Sequence, residues 1–376
     1  MEHRPRIAAI VTEYSEDRHA DVIVTKFLEG CRILDVDFRP QVDVVLLFID
    51  QLPSSGLGLE LAARHGVPVY PTIAEALCVG RSELAVDGVL LIGEHGEYPH
   101  NEIGQHLYPR RRFFAEAVEV MRHSGRVVPA FNDKHLGPVW ADAKWMWETA
   151  QELRIPFMAG SSVPVSWRRP DLHLAAGTDL RKALIVGYSG VEIYGFHTLE
   201  ALQCMVERRS GGETGVRSVR CLAGDAVWEA GEAGEWDWSL LEAALARSEK
   251  PAVAGATRDE VRERSEDVHV FLVDYADGFR AAALMLTGFC SEFLFAGRMG
   301  SGEVASTLFW LQDGKPHAHF ARLCEQIQRM FLTGKPSYPV ERTVLTTGVL
   351  DAGMRSRYEG GTRIETPDLL FSYAGE

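Results

Sequence analysis

The sequence predicts an α/β protein with a Rossmann-like parallel-sheet domain, residues 1–160, and an α+β domain with a mainly antiparallel open sheet, residues 161–376. Its 376 residues suit two or three domains of ordinary size. Up to residue 160, continuous apolar runs alternate with helix-like segments, which is typical of a parallel sheet covered by helices on both faces. The later residues contain many strand-like runs and few helices, which favours an antiparallel sheet.

The elements of the first domain follow from apolar runs and from apolar residues at helical spacing. The apolar runs predict buried strands at 6–12, 42–50, 67–70, 86–92, 127–131 and 156–159. Helical spacing, with a glycine after several segments, predicts helices at 16–29, 57–65, 73–77, 108–125 and 138–154. Ligands of such sheets bind at the carboxyl ends of the strands, so the residues that follow each strand are the candidates for function.

The sequence of the second domain predicts strands interrupted by a helical insertion. Strands are predicted at 184–187, 216–221, 268–275, 279–286 and 306–311. The acidic, alanine-rich segment 225–267 is predicted to form surface helices and a loop. Two helices, 319–332 and 340–358, each followed by glycine, are predicted to close the chain.

The charge balance and the cysteines limit the partners and the compartment. With 39 basic and 53 acidic residues the net charge is −14, which argues against nucleic acid or an anionic membrane as the main partner. Arg110, Arg111 and Arg112 can still form a local basic pocket. No apolar run has the length of a membrane helix, and the run 7–11 is too short for the core of a signal peptide. Six scattered cysteines without a CxxC pair predict reduced thiols in the cytoplasm.

Two polar clusters follow predicted strands of the first domain. GEHGEYP, residues 93–99, supplies His95 as a catalytic candidate and Glu97 and Tyr98 as substrate-binding candidates. The alternative is a solvated turn. FNDKHL, residues 131–136, supplies the catalytic candidates Asp133, Lys134 and His135 and the substrate-binding candidate Asn132. The alternative is a helix N-cap with its neighbours in solvent, and both can hold at once.

Two further clusters lie later in the chain. The helix that begins near His197 places Glu200 and Glu207 on one polar-leaning stripe with that histidine. We take His197 as a catalytic candidate and Glu207 as a substrate-binding candidate, with a structural helix start as the alternative. In AGSSVPVSWRRP, residues 159–170, the guanidinium of Arg168 can bind a carboxylate or phosphate, or the segment is an interdomain connector.

The order of elements, with the segments LAARHGV, IAEAL, VDGVLL, FNDKHL and AQELRIPFMAGSS, resembles the Gfo/Idh/MocA family. The closing segment FLTGKPSYPVERTVLTTGVLDAGMRSRYEGGTRIETP is similar to that family's closing helices, so the resemblance spans nearly the whole chain. It implies an N-terminal Rossmann domain, a C-terminal α/β domain with an open sheet, and an NAD(P)-dependent oxidoreductase acting on a sugar, polyol or related hydroxy compound.

The resemblance also implies roles for individual residues. Lys134 matches the lysine of the family's E-K-P motif, which is catalytic and contacts the cofactor. His197 falls near the family's catalytic histidine, and Asp50 ends the second strand, where family members hold a ribose. Thr12 and Glu94, which follow two other strands, complete the predicted cofactor-binding set.

The segment that follows the first strand departs from the family pattern. It reads TEYSEDRHAD, residues 12–21, where family members carry GxGxxG. Glycines let the backbone approach the pyrophosphate, whereas Glu13, Glu16 and Asp17 would repel it. Lys134 is flanked by aspartate and histidine instead of glutamate and proline. We therefore expect weak or no NAD(P) binding.

Three functions stay open. The first is hydride transfer between NAD(P) and a carbohydrate-like small molecule. The second is a nucleotide-independent lyase, isomerase or hydrolase, with a divalent metal as an option; its candidate ligands are His95, Asp133, His135 and His197. The third is a non-catalytic binding protein, against which the many ionisable strand-end residues argue.

Two expectations concern assembly. Copies of the chain are expected to associate through the C-terminal sheet. His197 and the strand-end groups, with Lys134 as an exposed edge lysine, are expected to converge on one cleft between the domains.

Overall fold

The computed structural model describes residues 4–52, 56–312 and 314–375, which form two compact units. The first unit consists of Met1–His100, His106–Val165 and Gln312–Val344, and the second of Asn101–Gln105, Ser166–Leu311 and Leu345–Glu376. The predicted fold class is confirmed. The predicted division into 1–160 and 161–376 differs in one main segment, because Gln312–Val344 groups with the parallel-sheet unit.

Seven strands lie in the described part of the first unit: β1 (Arg6–Val11), β2 (Cys31–Ile33), β3 (Val36–Phe38), β4 (Asp43–Ile49), β5 (Gly88–Ile92), β6 (Ala130–Asp133) and β7 (Phe157–Gly160). Five of them form a parallel sheet in the order β4-β1-β5-β6-β7. The pair β2 and β3 forms a separate hairpin, which the sequence pattern did not predict. Residues 67–70, predicted as a strand, form an isolated bridge between Leu47 and Val69 instead.

The helices of this part of the chain lie close to their predicted positions. A π-helical turn, Asp21–Thr25, continues into α1 (Lys26–Glu29), and α2 (Leu57–His65), α3 (Ile73–Cys78), α4 (Arg110–His123) and α5 (Trp140–Leu153) follow. The strands β1 and β5 are almost completely buried, as expected for a sheet covered on both faces. Their sequences are therefore continuously apolar rather than alternating.

The second unit is built on an eight-stranded sheet. Its strands are β8 (Trp167–Arg169), β9 (Leu180–Gly187), β10 (Val216–Ala223), β11 (Asp267–Tyr275), β12 (Arg280–Thr287), β13 (Phe293–Met299), β14 (Val304–Trp310) and β15 (Ile364–Glu365). Their order is β15-β10-β11-β12-β9-β13-β14-β8. The pairing is antiparallel apart from β12 with β9, so the predicted mainly antiparallel sheet is confirmed.

Helices pack on both faces of this sheet. They are α6 (Ile193–Val206), α7 (Asp225–Glu232), α8 (Trp238–Leu245), α9 (Pro251–Ala254) and α10 (Arg258–Arg264). Two helices follow the last long strand: α11 (Ala318–Thr333), which belongs to the first unit, and α12 (Val340–Tyr358). The insertion α7–α10 was predicted as surface, yet its Trp236 and Trp238 are buried in a core shared with Leu222 and Val270 of the sheet.

The opposite face of the sheet lies beneath α6 and α12. The helix α6 contacts β9, β12 and β13, and the backbone N–H of Cys221 in β10 donates to Ser356 Oγ of α12 at 2.8 Å. Association of copies through this sheet stays a prediction. None of the helices in the described segments combines the length and apolarity needed to span a membrane.

Candidate active site

Polar residues follow four neighbouring strands of the first unit, at the edge where these parallel strands end. Thr12 follows β1, Asp50 follows β4, Glu94 comes two residues after β5, and Asp133 ends β6. Parallel strands end at a common edge, which is where ligands of such sheets bind. The edge therefore gathers side chains that are far apart in the sequence.

A buried ion-pair network surrounds Glu94. Arg110, the first residue of α4, donates a hydrogen bond to Glu94 Oε2, and Lys134 Nζ lies 3.5 Å from Glu94 Oε1. All three side chains are 4% exposed or less. Burial raises the pKa of Glu94, but the positive charges of Lys134 and Arg110 outweigh it and hold this pKa well below its usual range. Glu94 is thus a carboxylate that fixes two cations, and Lys134 is a buried residue rather than the exposed edge lysine that was predicted.

Two hydrogen bonds hold His135 as a neutral imidazole. Its Nδ1 lies 2.7 Å from the Gly137 carbonyl oxygen, and its Nε2 lies 2.9 Å from Arg110 Nη1. A carbonyl oxygen only accepts and a guanidinium only donates, so Nδ1 carries the proton and Nε2 accepts. With both ring nitrogens engaged, His135 positions Arg110. The catalytic and metal-binding roles predicted for His135 stay predictions.

The backbone at this edge adopts a rarely populated conformation at two positions. His95 and Lys134 both have φ near +69°, in the left-handed region that favours glycine. Such strain persists where the surroundings enforce it, and it clusters at functional sites. Asn132 Nδ2 donates to the carbonyl oxygens of Asp133, Lys134 and His135 and so fixes the turn that presents the lysine. Asn132 therefore holds the loop, and its predicted role in substrate binding stays a prediction.

A histidine–aspartate pair, which was not predicted, lies beside this network. His19 Nδ1 is 2.6 Å from Asp133 Oδ2, and the two side chains are 13% and 2% exposed. A carboxylate at Nδ1 favours the tautomer with its proton on Nδ1, which leaves Nε2 as the basic nitrogen. His19 lies in segment 12–21, where the glycine-rich loop was expected. The position of His19, at the start of the first helical segment after the buried strand β1, is the sequence feature that could have marked it as a candidate site residue.

His95 lies next to this pair. Its ring centroid is 5.3 Å from that of His19. Burial lowers the pKa of His95 to about 3, and the positive charges of His19 and Lys134 contribute to the shift. His95 is therefore neutral near pH 7 and available for hydrogen bonding or for relaying a proton.

The carboxylate that was expected to hold a ribose is engaged within the chain. Tyr98 Oη donates to Asp50 Oδ2 at 2.7 Å, and Arg112 Nη2 donates to Oδ1 at 2.6 Å. Gln51 Nε2 donates to the Glu97 carbonyl oxygen, while its Oε1 accepts from the Glu97 N–H. Burial and the bond to Asp50 raise the pKa of Tyr98. Asp50 and Tyr98 thus fasten the 93–99 loop, where cofactor and substrate contacts were predicted, and Glu97 is exposed.

The residues of segment 12–21 do not fit a dinucleotide held by its pyrophosphate. The Asp17 N–H donates to Asp21 Oδ2 at 3.0 Å, so a carboxylate already occupies a backbone donor near the helix start. Thr12, predicted to bind the cofactor, donates through Oγ1 to the Glu94 carbonyl oxygen at 2.5 Å. Glu16 adds a further carboxylate to the loop, paired with Lys315. Carboxylates therefore stand where the pyrophosphate needs glycine N–H groups.

The three consecutive arginines make separate ion pairs rather than one basic pocket. Arg110 pairs with Glu94, Arg111 with Asp142, and Arg112 with Asp50.

The helix α6 is buried all round instead of presenting a polar stripe. Every residue from Gly195 to Val206 on this helix is buried. His197 lies against the rings of Tyr194 and Phe293, with centroid distances of 5.8 and 6.3 Å. Glu200 accepts a hydrogen bond from Thr346 Oγ1 at 2.8 Å. A shared site of His197 with Lys134 stays a prediction.

The two substrate-binding candidates of the second unit make local contacts. Glu207 is buried and accepts a hydrogen bond from Tyr373 Oη at 2.8 Å, so it helps to fix the C-terminal tail. Arg168 lies on β8, with its guanidinium over the ring of Phe309 and 3.1 Å from His173 Nδ1.

Among the residues that the structure describes, no group of three or more His, Cys, Asp or Glu side chains is arranged to hold a metal ion. Of the predicted ligands, Asp133 pairs with His19, and His135 uses both ring nitrogens. The option of a divalent metal is therefore unsupported.

No family model and no curated protein matches the sequence. Solved structures match the fold over nearly its whole length. GenD2 from gentamicin A biosynthesis, in complex with NAD, is 15% identical with a TM-score of 0.59 and 97% of each chain covered. The myo-inositol 2-dehydrogenase from Lactobacillus plantarum is 11% identical, with a TM-score of 0.56 and coverage of 96% of this chain and 99% of that one.

An oxidoreductase from Agrobacterium radiobacter, in complex with NAD+, L-tartaric acid and magnesium, is 13% identical, with a TM-score of 0.56 and coverage of 96% and 98%. The chain therefore has the fold of Gfo/Idh/MocA-type oxidoreductases, as the sequence resemblance implied. The likeness is one of fold.

Proposed function

We propose that this chain is an enzyme that acts on a carbohydrate- or polyol-like small molecule by acid–base chemistry, without a dinucleotide in the segment 12–21. The observation that carries the proposal is the pair of partly exposed His19 and buried Asp133 beside the buried Glu94–Lys134 pair, at the edge where ligands of parallel sheets bind. Carboxylates in place of the glycine loop support the same conclusion.

His19 is the proposed general base. Asp133 orients the imidazole through Nδ1, so Nε2 takes a proton from the substrate carbon next to a carbonyl group. The electron pair of the broken C–H bond moves toward the carbonyl oxygen, which gains negative charge.

Lys134 is the proposed partner of that oxygen. Its ammonium group, fixed by Glu94, donates a hydrogen bond or a proton to the developing oxyanion. In an isomerase, His19 returns its proton to the former carbonyl carbon while the hydroxyl proton of the adjacent carbon passes back to Lys134. In a lyase, the protonated His19 gives its proton to a hydroxyl group on the next carbon, which departs as water while the carbonyl group re-forms and Lys134 regains its proton. Neutral His95 is placed to relay the proton.

The substrate class is proposed from the resemblance and from the fold neighbours. Among these neighbours are a myo-inositol 2-dehydrogenase and an oxidoreductase with bound L-tartaric acid, both of which involve small hydroxylated compounds. A sugar-like compound with a carbonyl group would supply both the acidic C–H bond and the oxygen that Lys134 needs.

The second candidate function is NAD(P)-dependent oxidation or reduction of such a compound. The observation that favours it is the fold match with GenD2 in complex with NAD over 97% of both chains. In that case Lys134 would exchange the substrate proton. The bonds of Asp50 to Tyr98 and Arg112 would first have to be exchanged for bonds to the ribose.

Deuterium incorporation from D2O separates the two. The purified protein is incubated with a panel of keto-sugars, polyols and hydroxy acids, with and without NAD+ or NADPH, and carbon-bound deuterium is followed by NMR. We expect incorporation into at least one carbonyl-bearing compound without nucleotide. Turnover that occurs only with NAD(P) would establish the second candidate. Saturable binding of a panel compound without exchange under either condition would leave a binding protein.

A further inference from the structure

One end of the second unit's sheet carries charged residues on the face that α7–α10 cover elsewhere. Arg220 of β10 is paired with Leu272 of β11, and Asp274 of β11 is paired with Arg280 of β12. Side chains alternate between the two faces of a strand. These residues therefore share the face of Leu222, which packs into the helical layer. The apolar part of this face is covered, and the charged part lies beyond it.

A cavity of about 430 Å³ opens at this charged end. Arg220, Arg280 and Arg363 line it together with Glu235 and Asp274. Its volume lies within the range of roughly 300–1,000 Å³ that is typical of small-molecule sites. The cavity belongs to the second unit alone and contains none of the residues of the proposed active site.

The charges that line the cavity do not cancel. Asp274 is shared by two cations, Arg363 and Arg280, the latter at 3.3 Å, while Arg220 pairs with Glu235 at 2.7 Å. Three guanidinium groups thus face two carboxylates, which leaves one positive charge in a chain whose net charge is −14.

The three guanidinium groups can reach a ligand. Their side chains are 31%, 71% and 50% exposed for Arg220, Arg280 and Arg363. Each guanidinium carries five N–H donors, more than these ion pairs require. A single guanidinium fork suits a planar carboxylate, whereas forks from three separate chain segments suit an oxyanion with oxygens in several directions.

We propose that this cavity binds a tetrahedral oxyanion, namely phosphate or the phosphoryl group of a small molecule. The ligand is expected to accept hydrogen bonds from N–H groups of Arg280 and Arg363, which now pair with Asp274. Because the acidic chain gives no long-range attraction for anions, binding depends on the local arginines and on low competition from Asp274.

The test is calorimetric titration of the full chain with inorganic phosphate, against sodium chloride at equal ionic strength. We expect saturable phosphate binding that falls at least about tenfold in Arg220→Ala/Arg363→Ala, since charge-assisted hydrogen bonds are lost. Asp274→Asn should bind phosphate more tightly, because the competing carboxylate is gone. Arg81→Ala, which removes an exposed arginine of the first unit, should match the unaltered chain.

The opposite sign expected for Asp274→Asn keeps the test decisive, because a damaged fold does not increase affinity. Heats that follow ionic strength alone, or equal phosphate binding by all variants, would overturn the proposal. Sedimentation velocity tests the alternative that a second copy of the chain, rather than an oxyanion, occupies the cavity. If Arg220→Ala/Arg363→Ala dissociates an oligomer that phosphate leaves intact, the cavity holds a second copy of the chain and the proposal fails.

Discussion

Both units bury charged side chains, but they use them differently. In the second unit Glu213 accepts from Gln203 at 2.6 Å and pairs with Arg209 at 3.2 Å, and Tyr275 donates to Gln203 at 2.8 Å. In this network the acids, the cation and the phenol satisfy one another and fix the surrounding chain. Its dense pairing explains why such costly groups are tolerated in the interior.

At the strand ends of the first unit the pairing leaves groups ready to react. Glu94 holds two cations, Asp133 orients His19 through one nitrogen, and His95 is kept neutral beside them. The backbone at His95 and Lys134 is strained. Buried charge alone therefore does not identify a functional site. The strand ends of the first unit differ from the Glu213 network in combining backbone strain with titratable groups at the sheet edge where ligands bind.

The largest expected effect is catalytic. His19→Asn should lower the rate of deuterium incorporation by about 10²–10⁴-fold, the usual contribution of a positioned base. The melting temperature should change little, since His19 is partly exposed and asparagine can still donate to Asp133. His123→Asn, at an exposed histidine in the last turn of α4, is the control. An unchanged exchange rate in His19→Asn would remove His19 from the mechanism.

The next effect is on stability at the strand ends. Glu94→Gln leaves Arg110 and Lys134 buried without their carboxylate, and such losses cost about 3–5 kcal/mol in the free energy of unfolding. Chemical denaturation measures it, with the exposed Glu119→Gln as control. A loss as small as that of the control would mean that the Glu94 network is not the buried, low-dielectric site described here.

The pH dependence of stability follows from the same carboxylate. The pKa of Glu94 is lowered in the folded chain, so its stabilisation is complete above its ordinary value of 4.5 and is lost as the pH falls below that value through the lowered pKa. Below pH 4.5, the stability difference between the unaltered chain and Glu94→Gln should therefore shrink. A difference that stays constant there would contradict the lowered pKa.

A smaller effect is expected in the second unit. Tyr373→Phe removes the hydroxyl that donates to buried Glu207 and accepts from Gln203 Nε2, which predicts a loss of about 1–3 kcal/mol in the free energy of unfolding. Deuterium incorporation should stay normal, because this network is assigned a structural role. If stability held while exchange fell, the result would instead support the predicted role of Glu207 in substrate binding.

The smallest effect at neutral pH concerns His95. With its pKa lowered to about 3, this histidine should not titrate between pH 5 and 8, as measured by NMR of its ring signals. Because the folded pKa lies below the ordinary value of 6.5, His95 destabilises the fold progressively as the pH falls below 6.5. His95→Gln should therefore gain relative stability in acid. A ring that titrates near pH 6.5 would contradict the burial argument.

Local patterns predicted most of the fold. Helix α2 matches its predicted bounds, and the buried strands β1, β4 and β5 lie within theirs, because apolar runs and helical spacing are local signals. The short hairpin of β2 and β3 was missed because three-residue strands carry little pattern. The buried role of α7–α10 was missed because acidic residues dominate their composition, although Trp236 and Trp238 fill the core.

The candidate site was predicted only in outline. Strand ends pointed to Glu94, Asp133 and Lys134, since sheet topology fixes which loops meet. The sequence did not reveal that His19 would pair with Asp133 across 114 positions. It also did not reveal that both ring nitrogens of His135 would form hydrogen bonds, to Arg110 and to the Gly137 carbonyl oxygen. Such pairings depend on tertiary contacts that no local pattern encodes.

The central claim is that the edge of the first unit's sheet works without a dinucleotide. Its most direct test is titration of NADH and NADPH into the purified chain, followed by calorimetry and nucleotide fluorescence. We expect no saturable binding below about 1 mM, where the binding free energy is only about −4 kcal/mol, because segment 12–21 carries carboxylates instead of the glycine N–H groups that hold a pyrophosphate. Saturable binding of either nucleotide at micromolar concentration would contradict the account and establish the chain as a nicotinamide-binding protein.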